Sequence, residues 1–307
     1  MSWRYIYISN VDKMSLHLDN LKIEKESGNV NIPLSEINSI LIDSYNTQLT
    51  VRLLSRLSEY KILLIVCDIS MTPIGIYSTF NGHHRGYKIQ RNQIDSSEKV
   101  KGEIWQIIVK NKLLNQKLVL EKFTDNKENR CISDLNYIQE CSDSVEFYDS
   151  TNREGIGARL YFKKMFGDSF SRNDDSISTN SFLNFGYAII RSSFCRAISL
   201  YGLNPSLGIF HRNEFNSFNL ADDLMEIYRP IIDEYVFNNY KYKESFERND
   251  KFELINVLNH YILHDGEKIN ISSSIEKYVL SYVKCIENAD SNLLNFPNIN
   301  IIEKYEL

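Results

Sequence analysis

Short apolar runs separated by polar turns fill the chain up to about residue 80. The runs are rich in β-branched and aromatic residues, as strands are, and they occupy residues 5–8, 16–18, 21–26, 37–43 and 62–67. Residues 50–60 interrupt them, because Val51, Leu54 and Leu57 recur there at helical spacing. The pattern predicts an N-terminal β-rich, β-sandwich-like domain with one inserted helix.

From residue 97 the apolar spacing becomes helical and stays so almost to the end of the chain. Val100, Ile104 and Ile108 mark one face of a long helix over residues 97–123. Further helices are predicted at residues 131–141, 154–165, 181–201, 220–229, 231–239 and 273–285. With a boundary between residues 87 and 97, the predicted fold class is α+β. We expect a β-rich domain over residues 1–90, whose apolar sheet is a candidate dimerisation surface, and a larger all-α domain over residues 91–307.

The charge balance argues against a surface covered with DNA-binding cations, but it allows a local basic patch. The formal net charge is −5, whereas nonspecific affinity for nucleic acid comes from Lys and Arg. Residues 81–117 nevertheless hold eight Lys or Arg against three Asp or Glu. Within this stretch His84, Arg85, Lys88 and Arg91 are candidate contacts to a DNA backbone. An exposed, solvated loop is the alternative.

Cysteine usage and hydropathy point to a cytoplasmic protein. The five cysteines are scattered and include no Cys-x-x-Cys pair, so neither a zinc site nor a disulfide framework is expected. The N-terminus has no long apolar core, and no apolar run is long enough to span a bilayer. We expect no association with a membrane.

Three side chains far apart in the chain stand in unusual local frames. Glu154 precedes Gly-Ile-Gly, His211 ends Gly-Leu-Asn-Pro-Ser-Leu-Gly-Ile-Phe-His, and Glu226 lies in Asp-Asp-Leu-Met-Glu-Ile-Tyr-Arg-Pro. Each has a structural alternative, namely a charge in the first turn of a helix, a core histidine and a surface ion pair. The glycines after Glu154 lower helix propensity, which indicates that something must come close there.

Together, two carboxylates and one imidazole form a ligand set suited to Mg²⁺ or Mn²⁺. Such an ion lowers the pKa of a coordinated water or 3′-hydroxyl and stabilises charge on a reacting phosphate, so the predicted chemistry is phosphoryl transfer. Asp222 and Asp223 are candidates for supporting groups or for a second ion.

Three further residues are candidate contacts to the substrate. Arg159 adds positive charge to the helix of Glu154, Tyr161 can stack on a base, and Asn184 can donate to a phosphate oxygen. Core packing is the alternative for Tyr161.

An ordered set of motifs resembles the CRISPR-associated adaptation endonuclease, the integrase subunit that inserts new spacers. The matching frames are Glu154-Gly155-x-x-Ala158-x-x-Tyr161-Phe162, Leu183-Asn184-Phe185-Gly186-Tyr187, Gly202-Leu203-Asn204-Pro205-x-x-Gly208-x-x-His211 and Asp223-Leu224-Met225-Glu226-x-x-Arg229-Pro230. Lys110-Asn111-Lys112-Leu113-x-Asn115-Gln116 is similar to the first long helix of that family. The resemblance spans nearly the whole chain.

The resemblance assigns the metal ligands to Glu154, His211 and Glu226. It implies a homodimer, with two dimers bridged by a small ferredoxin-like CRISPR-associated partner dimer. The 3′-hydroxyl ends of a short DNA duplex would then attack the CRISPR repeat by transesterification. The segment 81–85 is most similar to members from type II systems, which implies the RNA-guided nuclease and accessory proteins as further partners.

Two other functions remain open at the level of the sequence. The same site could use water as the nucleophile, which would give a metal-dependent nuclease acting on branched or single-stranded DNA. Alternatively, the chain could be a non-catalytic DNA-binding assembly subunit with a structural metal site.

Overall fold

The computed structural model describes residues 4–25, 28–67, 73–77, 79, 83–123, 129–174 and 176–305. The chain forms two compact units. A strand-rich unit comprises Met1–Gly86 with Ser199–Gly202, and a helical unit comprises Tyr87–Ile198 with Leu203–Leu307. Within the described ranges, no helix combines the length and the apolar content needed to cross a bilayer.

The strand-rich unit contains two four-stranded sheets and one long helix, α1 (Val51–Glu59). Its strands are β1 (Arg4–Ile8), β2 (Lys13–His17), β3 (Asn20–Lys25), β4 (Gly28–Pro33), β5 (Ile37–Ile42), β6 (Gln48–Leu49), β7 (Leu63–Cys67) and β8 (Pro73–Tyr77). One sheet has the order β1-β5-β7-β8, with β8 antiparallel to its neighbour and the other pairs parallel. The second has the order β4-β3-β2-β6.

The core of this unit collects apolar side chains from both sheets and from α1. All six residues of β5 are buried, as expected for a central strand covered on both faces. The cluster includes Ile8, Met14, Leu21, Ile40, Leu53 and Leu57. The prediction of a strand-rich N-terminal region with one inserted helix is confirmed.

The helical unit contains nine helices in its described part, and α3 is the longest of them. They are α2 (Gly86–Asp95), α3 (Glu98–Phe123), α4 (Asn129–Asp143), α5 (Arg153–Phe166), α6 (Ser178–Leu200), α7 (Asn219–Met225), α8 (Arg229–Tyr240), α9 (Arg248–Asn256) and α10 (Ile271–Asn288). The α+β fold class and the larger helical C-terminal region are confirmed. Residues 81 and 82 of the segment compared with type II members lie outside the described residues.

The prediction that this region is all-α is wrong in one respect. Strands β9 (Tyr261–His264), β10 (Glu267–Asn270) and β11 (Pro297–Glu303) form an antiparallel sheet in the order β10-β9-β11. Asp265 and Gly266 join β9 to β10 with φ angles of 55° and 74°. An Asp-Gly pair with two positive φ angles is a strong signal of a tight hairpin, and a search for helical periodicity passes over it.

Helix α3 is the element against which the candidate site is built. It contacts α4, α5, α8 and β11, and it is buried at many positions along its length. A Cβ atom on Gly157 would lie 2.4 Å from Cδ2 of Leu113, so a glycine is needed for α5 to approach α3 this closely. The close approach predicted around Glu154 is therefore a contact between two helices, and it brings Glu154 beside α3.

Candidate active site

Glu154 is held at the start of α5 by a tightly capped turn. The Asp149 carboxylate accepts hydrogen bonds from the backbone amides of Arg153 (2.7 Å) and Glu154 (3.0 Å). Asn152, with a left-handed φ of 53°, is the N-cap residue and accepts from the amide of Gly155. These caps fix the backbone at the start of the helix. The Glu154 side chain extends toward Lys112 of α3, and 26% of it is exposed.

Glu226 lies at the junction of α7 and α8, in a short 3₁₀ turn over Glu226–Tyr228. Its side chain is 6% exposed, and its Oε1 lies 2.9 Å from Nε of Arg229. Burial opposes ionisation of this carboxyl, but Arg229 and Lys112 hold its pKa below the ordinary value. Glu226 is thus a buried carboxylate that stays charged because cations surround it.

Lys112 supplies the cation that joins the two glutamates. It lies in the middle of α3, and its ammonium forms ion pairs with Oε1 of Glu154 and with Oε2 of Glu226. Only 9% of the Lys112 side chain is exposed. Burial disfavours the charged form, but the two carboxylates raise the pKa of Lys112 above its ordinary value. Glu154 and Glu226, from separate helices, therefore converge on one buried positive charge.

His211 is oriented by Asp223, which is fully buried. The imidazole Nδ1 lies 2.6 Å from Oδ1 of Asp223. The same carboxylate accepts from the backbone amides of Ile209 (2.6 Å), Phe210 (2.9 Å) and His211 (3.2 Å), so it also fixes the loop that carries the imidazole. The hydrogen bond from Asp223 raises the pKa of His211. With Nδ1 committed to Asp223, Nε2 is the ring atom left for a ligand.

The structure thus gathers two of the three predicted ligands, Glu154 and Glu226, around one cation. The place between them is taken by the Lys112 ammonium. Among the residues that the structure describes, no three His, Cys, Asp or Glu side chains lie close enough together to hold a metal ion. His211 and Glu226 still influence each other electrostatically, since each shifts the pKa of the other.

A cleft of about 420 Å³ opens beside His211. Its wall carries Lys101 and Arg212 together with the carboxylates of Glu98 and Glu214. The Arg212 guanidinium donates to Oε2 of Glu98 (2.6 Å) and to the hydroxyl of Tyr148 (3.2 Å), although it is more than half exposed. Because His211 itself lines the cleft, a group that enters it comes next to the imidazole.

The predicted DNA contacts fall into exposed and buried positions. His84, Arg85, Lys88, Arg91 and Arg159 are exposed. In the helical unit, α2 carries Lys88 and Arg91, and it also contributes Gln93 and Ile94 to the wall of the cleft. These five residues remain candidates for contacts to a DNA backbone.

The remaining two predicted contacts have different outcomes. Asn184 is exposed, and its Oδ1 accepts a hydrogen bond of 2.7 Å from Arg172. Tyr161 is 0% exposed, and its ring packs edge-on against Phe162. The prediction that Tyr161 stacks on a base is therefore wrong, because a ring without exposed surface cannot contact a nucleotide.

Sequence reasoning did not find Lys112, and it left the role of Asp223 undecided. The available signal for Lys112 was its spacing, since it follows Ile104 and Ile108 at intervals of one turn on the apolar face of α3. A cation on a buried face requires buried anions nearby. For Asp223 no local signal distinguishes a buried carboxylate from a surface ion pair.

Arg172 is a further residue near the site that the sequence did not single out. Its guanidinium bonds Asn180 and Asn184 and lies 5.3 Å from the ring centroid of Tyr187. Arg229 packs on the same ring at 4.8 Å. Because Arg229 also contacts Glu226, Arg172 belongs to the surroundings of the site.

Fold and site together define a class: a two-unit α+β protein whose helical unit surrounds a buried cation with two carboxylates and also carries an imidazole held by a buried aspartate. A family model described as CRISPR associated protein Cas1 matches residues 6–271. Over that span the chain carries all the elements of the site, and it belongs to the Cas1 family.

A curated relative supports this assignment, and solved structures share the fold. The chain is 34% identical over 309 residues to the CRISPR-associated endonuclease Cas1 of Neisseria meningitidis serogroup C (strain 8013), with 100% of this chain and 99% of that protein covered. A chain of a Cas6-RT-Cas1–Cas2 complex superposes with a TM-score of 0.76 at 19% identity, covering 95% of this chain and 36% of that one. A casposase bound to its integration product gives a TM-score of 0.73 at 17% identity, covering 94% and 92%. At such low identity the two structures show a shared fold.

Proposed function

We propose that this chain is a metal-dependent DNA endonuclease and integrase that joins short foreign DNA to a CRISPR array by transesterification. One observation carries the proposal: Glu154 and Glu226 converge on a single buried positive charge, in a unit that also holds the His211 imidazole in place through Asp223. Membership in the Cas1 family and the endonuclease name of the Neisseria relative support the same activity.

The donor groups fit a divalent ion. Carboxylate oxygens are the ligands that Mg²⁺ prefers, and one imidazole shifts the preference toward Mn²⁺. Two carboxylates that converge, one of them buried, require a cation between them, and the ammonium of Lys112 marks where such a charge is stabilised. Glu154, Glu226 and Nε2 of His211 would hold the ion. When bound, Mg²⁺ or Mn²⁺ would lower the pKa of a coordinated 3′-hydroxyl or water and stabilise charge on the phosphate.

The other residues of the site orient the ligands and the DNA. Asp223 fixes the ring and tautomer of His211, and Arg229 holds one oxygen of Glu226 so that the other can turn toward the ligand position. Lys101 and Arg212 would bind phosphate groups of a strand that enters the cleft beside His211. These contacts would bring the reacting hydroxyl and phosphodiester together, which is where most of the protein's contribution to such a reaction lies.

We further propose the assembly that the resemblance implies. The solved neighbour named as a Cas1–Cas2 complex supports a small partner protein, and we propose that a ferredoxin-like dimer of this partner bridges two homodimers of the chain. The DNA substrates would be a short prespacer duplex and the CRISPR repeat. A type II system, with its RNA-guided nuclease, is the proposed setting.

The test is a strand-transfer assay with the chain, its small partner, a short duplex and a labelled CRISPR repeat in Mg²⁺ or Mn²⁺. The wild type is expected to join the duplex to the repeat. Glu154→Ala and His211→Ala should lower joined product on the order of 100-fold or more, because each removes a ligand.

The matched control is Glu140→Gln, which neutralises an exposed carboxylate on α4 away from the site. It should join DNA like the wild type. Retained strand transfer in Glu154→Ala or His211→Ala would contradict the proposal. Shortened strands without joined product would indicate a nuclease that uses water. A melting temperature lowered by chelation, with all DNA reactions unchanged, would favour an assembly subunit with a structural metal site.

A further inference from the structure

Lys112 is the most deeply buried cation of the site, and both of its ion-pair partners among the described residues are carboxylates. It occupies the apolar face of α3 between Ile108 and Leu113, both of which are fully buried. Removing an ammonium from water costs several kcal/mol, and only close opposite charges offset this cost. Both carboxylates that offset it are proposed metal ligands. Lys112 is therefore stable in its position only as long as Glu154 and Glu226 are available to it.

We infer that Lys112 is a resident counter-cation that a divalent ion displaces. In the metal-free protein its ammonium holds the two glutamates together, and it withdraws from between them when the ion binds. The inference rests on the proposed function, since it assumes that Glu154 and Glu226 are metal ligands.

Geometry makes the two cations mutually exclusive. The ammonium contacts one oxygen of each glutamate at the same time. Because Arg229 already contacts the other oxygen of Glu226, an ion held by both carboxylates would need the Glu226 oxygen that the ammonium contacts. The flexible four-carbon stem of lysine allows the ammonium to move while the backbone of α3 stays in place.

The charge balance of the site favours replacement of the Lys112 ammonium by the divalent ion over simultaneous binding of both cations. Lys112 and Arg229 are cations, and Glu154, Glu226 and Asp223 are anions, so these five groups carry one net negative charge. Adding a divalent ion would leave one net positive charge in a buried site. Withdrawal of the ammonium returns the set to neutrality, and neutrality is favoured where solvent cannot screen.

Competition of this kind lowers the affinity of the wild-type site for metal. Part of the binding free energy of the ion is used to break two ion pairs. Without the ammonium, the same two carboxylates would be available to the ion at once. The structure thus predicts that removing the Lys112 charge tightens metal binding, which is the reverse of what loss of a supporting residue would do.

The experiment compares Mn²⁺ binding to the full-length wild type, Lys112→Met and Lys112→Arg by isothermal titration calorimetry, together with melting temperatures in chelator and in Mn²⁺. Lys112→Met should bind Mn²⁺ about tenfold more tightly or better, with a lower melting temperature in chelator. Its Mn²⁺-induced rise in melting temperature should be larger, because stabilisation grows with affinity. Lys112→Arg keeps the charge and should bind no more tightly than the wild type. Lys117→Met, on the same helix but more exposed, is the control and should match the wild type.

Each outcome decides between the two claims. If the wild type binds Mn²⁺ and Lys112→Met binds it equally or more weakly, the ion does not displace Lys112. The metal site of the proposed function would still be supported in that case. If neither binds Mn²⁺, the metal site of the proposed function is wrong, and the exchange is wrong with it. A Lys112→Met chain that folds only in Mn²⁺ would support exchange. If it folds in neither condition, Lys112→Gln replaces it in the same comparison.

Discussion

At the scale of single residues, buried charge is concentrated in a few side chains of the helical unit. Lys112, Asp223, Glu226 and Asp233 are each less than a tenth exposed. The first three belong to the candidate site. Asp233 instead accepts a hydrogen bond from the hydroxyl of Tyr187. Burial raises the pKa of Asp233 to about 6, although hydrogen bonds to tyrosines oppose the shift.

This shift predicts a pH dependence of stability. The folded state keeps the Asp233 proton up to about pH 6, whereas the unfolded chain loses it near the ordinary value of 3.8. The free energy of unfolding should therefore fall by about 3 kcal/mol between about pH 4 and pH 6 through this group. The side chain that Asp233→Asn introduces cannot ionise, so this variant should lack the fall in the free energy of unfolding. Urea unfolding of both proteins from pH 4.5 to 7.5 measures the difference.

Asp168→Asn, at an exposed carboxylate, is the matched control for that series. Its free energy of unfolding relative to the wild type should stay constant with pH. If the difference in free energy of unfolding between Asp233→Asn and the wild type also stayed constant with pH, the raised pKa of Asp233 would be contradicted.

The sequence identified the candidate ligands but not the groups that support them. Glu154, His211 and Glu226 stand in recognisable frames of glycine, proline and aspartate. Lys112 and Asp233 stand in ordinary helical sequence, where a charged residue normally indicates a solvated face. Whether such a charge is buried depends on which helix packs against it, and this is a property of the tertiary fold.

At the scale of elements, glycines set how closely pairs of helices approach at functionally important places. Gly157 lets α5 pack against α3, and Gly186 does the same for α6 and α8. A Cβ atom on Gly186 would lie 2.5 Å from Cγ2 of Ile232. The residues that follow, Tyr187 and Asp233, form the hydrogen bond between the same two helices.

Gly186→Ala should therefore destabilise the protein although alanine is the better helix former. The propensity gain is about 1 kcal/mol, whereas overpacking costs roughly 1–3 kcal/mol in a core that cannot yield. Urea unfolding should show a net loss. In a double-mutant cycle, Ile232→Ala should make the loss from Gly186→Ala smaller.

Gly86→Ala is the control, because a Cβ atom there meets no neighbour within 4 Å. It should be neutral or slightly stabilising. Equal effects of the two substitutions would show that helix packing at Gly186 is not tight.

The long periodic helices and several short apolar strands of the N-terminal region could be predicted from the sequence, whereas the short elements near the C-terminus could not. Helix α3 was expected over residues 97–123 and occupies Glu98–Phe123. The strands β9 to β11 and the helix α9 are too short for the spacing of their apolar residues to be distinctive. Their formation also depends on partners distant in the chain. Residues 87–97, expected to hold the domain boundary, largely form α2.

At the scale of the whole molecule, the charge distribution limits how the chain can bind DNA. The sequence has 35 Lys and Arg against 40 Asp and Glu. Phosphate contacts must therefore come from a few local clusters. A continuous basic track would require several copies of the chain and their partner.

The isolated chain should therefore bind DNA weakly and with strong dependence on salt. Each phosphate contact adds about −0.9 to the slope of log K against log salt concentration. We expect a slope steeper than about −3 by fluorescence anisotropy with a short duplex, and tighter binding when the small partner is added. Lys284→Gln, at an exposed position on α10, is the control and should leave the slope unchanged. Tight binding with little salt dependence would contradict this prediction.

The position of Lys112 on α3 also has a consequence during synthesis of the protein. Its second carboxylate, Glu226, leaves the ribosome on the order of ten seconds later at rates of ~5–20 residues per second. During this interval α3 cannot bury its central ammonium with both partners, so its apolar face stays exposed to chaperones and proteases. Chains truncated before Glu226 would keep that exposed face, and cellular quality control would distinguish them from finished molecules.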